Sequence, residues 1–142
     1  MKVDEVDMKI VDILEENGRI PNNEIASRLH ISEGTVRNRT KKLIESDFLK
    51  VKGLTNPNKR TDKQLIFILV HLEVTKNWEN ITQKMSELPG VKSVSMLTGR
   101  FDLPIGLFIE PHNLINFFTQ DLSSVGSIAS TDNLVTIERH NR

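Results

Sequence analysis

Apolar positions recur at steps of three and four through the first third of the chain. Val3, Val6, Ile10, Ile13 and Leu14 form one stripe, the spacing of an amphipathic helix. Asp4 and Glu5 stand where acidic side chains favour a helix start, and Asn17-Gly18 closes the helix after its last periodic residue. Pro21-Asn22-Asn23 supplies start chemistry for a short second helix that carries Ile25, Ala26 and Leu29. Ser32 is placed to cap a third helix, with Glu33 well sited for its dipole. That helix directs Val36, Thr40, Leu43 and Ile44 inward and ends near Ser46-Asp47. Phe48 to Leu54 alternates apolar residues with Lys50 and Lys52, which predicts a short strand. Thr55 to Lys63 contains Asn-Pro-Asn and no apolar residue, and reads as a linker.

Beyond the linker the pattern changes to period two and to continuous apolar runs. Gln64 to Val74 predicts a strand, and Trp78, Ile81, Met85 and Leu88 mark a helix that Pro89-Gly90 terminates. Val91 to Leu97 and Leu103 to Ile109 read as strands separated by a Gly-Arg-Phe-Asp turn. Leu114, Phe118 and Leu122 stripe a further helix, and Leu134 to Glu138 reads as the last strand. The order strand, helix, strand, strand, helix, strand is that of a ferredoxin-like βαββαβ domain. The fold class is therefore α+β: a helical domain over residues 1–54, a linker over 55–63, and a ferredoxin-like domain over 64–142.

Two helices cover only one face of a four-stranded antiparallel sheet, so its strands should alternate apolar with polar. Leu65-Ile66-Phe67-Ile68-Leu69-Val70 does not alternate, and neither does Leu107-Phe108-Ile109. Both faces call for burial, and a second copy of the chain is the economical cover. His71, set in an apolar strand, is expected inside the core.

Composition narrows the function. With no cysteine among 142 residues, disulfide scaffolds, zinc fingers and cysteine nucleophiles are excluded. No apolar run approaches membrane-spanning length, and MKVDEVDMKI lacks an apolar signal core; the chain reads as a cytoplasmic protein with no membrane partner. Net charge is +0, but it is unevenly spread. Residues 34–60 carry eight basic side chains against only Glu45 and Asp47. A local basic block in a neutral chain points to a polyanion addressed by one surface.

The three residues between the second and third helices suit a helix-turn-helix. With Val36, Thr40, Leu43 and Ile44 inward, the opposite arc of the third helix holds Gly34, Asn38, Lys41 and Glu45, flanked by Thr35, Arg37 and Lys42. Short polar groups near a helix N-terminus reach base edges in the major groove, whereas basic residues farther along match phosphates. Ser32, Glu33, Thr35, Arg37 and Asn38 are accordingly assigned to bases, and Lys41 and Lys42 to phosphates of double-stranded DNA. Arg39, at the edge of the buried arc, is as well placed for pairing within the molecule. Gly34 weakens the helix by up to about 1 kcal/mol relative to alanine; close backbone approach to DNA would be a compensation.

These residues carry a resemblance. VDMKIVDILEENGRIPNNEIASRLHISEGTVRNRTKKLIESDFLK resembles the leucine-responsive/asparagine-synthase regulators, also called feast/famine regulators. The likeness continues through Thr98-Gly99-Arg100-Phe101-Asp102-Leu103 and Ser130-Thr131-Asp132-Asn133, which match the turn and a late segment of that family's amino-acid-sensing domain. The resemblance implies a winged helix-turn-helix domain over residues 1–54, a sequence-specific DNA-binding transcriptional regulator, a homodimer that assembles into octamers or higher species, and an amino-acid effector held between subunits. His30 and Asp47 depart from it, standing where the family commonly has glycine, so a φ above zero is expected at either position. Phe101 replaces a frequent tyrosine.

An amino-acid effector requires an acceptor for its ammonium and donors for its carboxylate. Asp102 can supply the first; backbone N–H groups at Thr98, Gly99 and Arg100, with the hydroxyls of Ser130 and Thr131, can supply the second. Phe101 and Asp132 complete the candidate effector residues. The competing reading is that Gly99 merely makes the hairpin turn, which Asp102 caps. No catalytic or phosphate-binding motif occurs, and the four histidines lack metal-ligand spacing, so neither an enzyme nor a bound cofactor is expected. The rival functions are an architectural DNA binder without ligand and a haem-pathway decarboxylase of similar fold.

Overall fold

The computed structural model describes residues 2–73 and 77–140. The chain divides into two compact units between Leu54 and Thr55.

The first unit is three helices: α1 (Glu5–Glu16), α2 (Asn22–Leu29) and α3 (Glu33–Glu45). Asp4 caps α1 by accepting the Asp7 N–H, while the Asp7 carboxylate accepts the Asp4 N–H in return. This reciprocal pair satisfies two donors that the helix itself leaves open. The core gathers Ile10, Val11, Ile20, Ile25, Ala26, Val36, Leu43 and Leu49. Val3, Val6, Ile13 and Leu14 pack at its margin. Gly18 follows α1 without a positive φ; closure comes from the Asn17 N–H bonding to the Ile13 carbonyl at 3.0 Å.

Both family departures take the left-handed conformation, His30 at φ 55° and Asp47 at φ 60°. Glycine is favoured there because a Cβ crowds the following carbonyl. Two expectations change. Ile44 is 47% exposed, since Leu43 alone completes the inner arc at that turn. Phe48 to Leu54 forms no strand: among the described residues the first unit holds no other strand whose backbone could pair with it.

The second unit is a four-stranded antiparallel sheet, with β1 (Gln64–Leu72), β2 (Val91–Val94), β3 (Leu103–Ile109) and β4 (Ile128–Val135) in spatial order β2-β3-β1-β4. Helix α4 (Trp78–Ser86) joins β1 to β2. A helical run, α5, joins β3 to β4; it comprises Leu114–Asn116, a π-helical stretch Phe117–Leu122, and Ser123–Val125. This is the βαββαβ arrangement. Ile66, Ile68, Val70 and Leu72 of β1 meet Ile81 and Met85 of α4, Phe117 and Leu122 of α5, and Leu103, Ile105 and Leu107 of β3 in one core.

Three strands take other bounds. β1 ends at Leu72, and Val74 lies outside the described residues; β2 stops at Val94 instead of Leu97. The last strand is Ile128–Val135 instead of Leu134 to Glu138. It is an edge strand, exposed along most of its length, so burial leaves no apolar alternation in it to read. The widened π turn also makes Phe117, not Phe118, the fully buried aromatic of α5.

Along β1 the residues alternate, so Leu65, Phe67, Leu69 and His71 share the face away from the helices. Cross-strand neighbours on that face are Phe108, Gly106 and Pro104 of β3, and Leu134, Asp132 and Ser130 of β4. Phe67 is 39% and Leu134 50% exposed. His71 belongs here too, half exposed, and not in the core: it has the parity of Phe67 and Leu69.

Candidate nucleic-acid and effector sites

Ser32 caps α3, its Oγ accepting the Thr35 N–H at 3.1 Å and lying 2.8 Å from Thr35 Oγ1. The cap fixes where the helix begins and hence which side chains share its outer flank. Glu33, Arg37, Asn38, Lys41 and Lys42 are all exposed there, while Thr35 is half buried. Glu33 and Arg37 pair at 2.6 Å, and Lys41 approaches Glu45 at 3.7 Å. Such exposed pairs are weak and can exchange for a polyanion.

Arg39 turns the other way. Its Nη1 donates to Asp4 Oδ2 at 2.7 Å and Asp7 Oδ1 at 2.9 Å, tying α3 to the start of α1. The Asp7 backbone N–H and then Arg39 hold the Asp4 carboxyl below its ordinary range. Asp4 first, then Asp7, raise Arg39 in turn. The inner arc is anchored by Val36 and Leu43, both fully buried. An exposed polar flank on a helix fixed from behind is the arrangement that lets side chains enter a groove without the helix moving.

In the second unit, His71, Arg100, Phe101, Ser130, Thr131 and Asp132 line an open cavity of about 450 Å³. The β2–β3 connection and β4 are thus brought together across the end of β1. Arg100 lies over the Phe101 ring at 5.7 Å. Asp102 stands behind this cavity. Its Oδ2 accepts the Leu72 N–H at 2.8 Å and lies 3.1 Å from His71 Nδ1, and its N–H donates to the Val70 carbonyl at 3.0 Å. Thr98 and Gly99 are exposed in the same connection and do not line the cavity. Gly99 adopts φ +131° with open space around it, and the Leu97 N–H to Asp102 carbonyl bond, 2.8 Å, closes the turn. The sequence reading missed His71 as a cavity residue; its place on the Phe67–Leu69 face was the available signal.

Similarity to known proteins follows the same two units. The model of the AsnC-type helix-turn-helix domain matches residues 3–44. An uncharacterised HTH-type transcriptional regulator of Pyrococcus furiosus is 32% identical over 132 residues, covering 92% of this chain and 88% of the relative. The chain belongs to the leucine-responsive/asparagine-synthase (AsnC-type) regulator family. The HTH-type transcriptional regulator LysM of Sulfurisphaera tokodaii is 28% identical over 135 residues, 95% of each chain. Among solved structures, a transcriptional regulator of Neisseria meningitidis in complex with L-Met superposes with a TM-score of 0.73 at 24% identity, covering 99% of this chain and 94% of that one; this likeness concerns the fold. As a member of the AsnC-type family, the chain is a helix-turn-helix transcriptional regulator, not an enzyme, which disposes of the decarboxylase reading.

Proposed function

We propose that α3 enters the major groove of its operator, with Ser32, Glu33, Thr35, Arg37 and Asn38 toward base edges and Lys41 and Lys42 on phosphates. The observation that carries this is the exposed outer flank of a helix whose inner side is held by Val36, Leu43 and Arg39. Residues 1–54 act as the DNA-binding domain, 55–63 as the linker, and 64–142 as the effector and assembly domain, the last two residues lying outside those described. The chain works in the cytoplasm; no helix among the described residues is long and apolar enough to cross a membrane.

The effector is an amino acid bound in the cavity beside His71. Asp132, on the cavity lining where Asp102 is not, accepts its ammonium in place of Asp102, and Arg100 with the Ser130 and Thr131 hydroxyls meets its carboxylate. Phe101 and the imidazole oriented by Asp102 face its side chain, and Thr98 and Gly99 offer backbone donors at the rim. The L-Met bound to the Neisseria relative supports this class of ligand. Chains dimerise through the open sheet face and assemble further, to octamers or beyond. Ligand binding favours one assembly geometry and so sets the spacing of paired recognition helices along DNA.

The test is a titration of each amino acid, L-methionine included, against the full chain, reading heat of binding, mass by light scattering, and operator affinity at fixed salt. At least one should bind and shift mass or affinity. If none moves either quantity, the effector reading fails; if operator and random DNA bind alike, so does sequence-specific regulation.

A further inference from the structure

The start of α1 and the middle of α3 share a closed set of hydrogen bonds. Asp4 Oδ1 accepts the Asp7 N–H at 2.9 Å, and Asp7 Oδ2 accepts the Asp4 N–H at 3.0 Å. The two remaining oxygens both accept from Arg39, at 2.7 and 2.9 Å. Each carboxylate oxygen thus has its donor, and both negative charges lie against one guanidinium whose side chain is only 31% exposed.

Directly beside this network is a cavity of about 410 Å³ whose other walls are Lys2, Thr35, Asn38 and Lys42. These four offer ammonium, hydroxyl and amide groups, all able to donate. Lys9, Arg37 and Lys41 each have a carboxylate partner. Among the described residues Lys2 and Lys42 have none within salt-bridge distance. Two ammonium groups from segments far apart in sequence therefore border one groove, continuous with the outer flank of α3.

We infer that Lys2 is a phosphate-contacting residue, so that the segment preceding α1 forms a second edge of the DNA interface. Arg39 is the positioning residue that keeps it there. The partner is the phosphodiester backbone of the duplex held by α3, and the inference rests on the reading of α3 as the DNA-contacting helix. Without Arg39, the segment carrying Lys2 would lose its tie to α3.

The experiment measures affinity for operator and for random duplex across a salt series, using the full chain. A lysine–phosphate contact contributes about 0.9 to the logarithmic salt slope. Lys2→Ala should flatten the slope by about one and weaken both duplexes several-fold by the same factor, and Lys2→Arg should restore the slope. Arg39→Gln should flatten it equally without touching DNA. The double variant should then lose no more than either single one, because both changes remove the same contact.

Circular dichroism establishes that each variant is folded. If Arg39→Gln does not fold, Arg39→Lys, which keeps the charge, replaces it in the cycle with a smaller expected loss. An unchanged slope in folded Lys2→Ala overturns the Lys2 contact. Losses that add in the double variant overturn the positioning role, since Arg39 would then meet phosphate itself. If Asn38→Ala and Lys42→Ala also leave DNA binding unchanged, the reading of α3 has failed and not merely its extension.

Discussion

At residue scale, the informative positions are those where local preference and structure disagree. Gly34 is one. It lies in the first turn of α3, yet a Cβ there would meet nothing nearer than Ser32 Oγ at 3.9 Å, so packing within the chain does not demand glycine. Helix propensity alone predicts that Gly34→Ala stabilises the first unit by up to about 1 kcal/mol. If the missing side chain admits a close DNA backbone or base edge, the same substitution should weaken operator binding. Thermal unfolding and operator affinity should therefore move in opposite directions; a variant that is more stable and binds equally well would remove any DNA role for this glycine. His30 and Asp47 are the converse case. Both hold φ near 60° in a region where a Cβ is unfavourable, and both are residue types that tolerate it better than β-branched ones. Their departures from the family pattern preserve the turns, which is why the helix-turn-helix remained readable through them.

At the scale of elements, legibility tracked burial on one side. α1, α2 and α3 each bury one stripe, so their periods are visible and their positions follow from it. β4 has Ser130, Thr131, Asp132 and Asn133 on an exposed edge, where only backbone pairing with β1 defines the strand. The segment from Phe48 to Leu54 shows the reverse error: it alternates convincingly but has no partner. The effector residues were half visible for the same reason. Their types suggested zwitterion chemistry, but only the β1–β4 register brings Ser130 opposite His71, and only the hairpin geometry turns Asp102 to Leu72 and His71. At the start of the second unit, a short helical turn (Pro57–Lys59) precedes a two-point contact from Arg60 to Asp62, both at 2.7 Å. That fork lowers the Asp62 carboxyl to about 2. Because the folded value is depressed, the contact contributes above the ordinary aspartate value of 3.8 and is lost as pH falls toward about 2. A carboxyl-detected NMR titration should place the Asp62 midpoint near 2, and Arg60→Gln should return it toward the ordinary value. An unmoved midpoint in the variant would show that the fork is not formed in solution.

At the scale of the whole molecule, the face of the sheet away from the helices asks for a partner. Leu65, Phe67 and Leu69 line one side of β1, and Pro104, Phe108 and Leu134 flank them. Gly106 lies opposite Phe67 and carries no side chain, because a Cβ there would come within 2.6 Å of Ser93 Oγ. The core of this unit lies on the opposite face, around Ile68, Ile105 and Phe117, so the exposed Phe67 and Leu134 add little to the fold of a single chain. Stable association typically buries about 800 Å² per partner, and an unpaired charge at the centre of such a patch opposes it strongly. Phe67→Asp should therefore leave circular dichroism and thermal unfolding of the isolated chain nearly intact, because Phe67 is already 39% exposed, while lowering the solution mass measured by light scattering. Phe67→Leu, which keeps the patch apolar, should retain the parent mass. Operator affinity should fall with the mass in the aspartate variant alone, since paired recognition helices bind two half-sites and a single one does not. Unchanged mass in a folded Phe67→Asp chain would mean that this face is covered by something other than a second copy, and that the coupling of effector to DNA runs through a different surface.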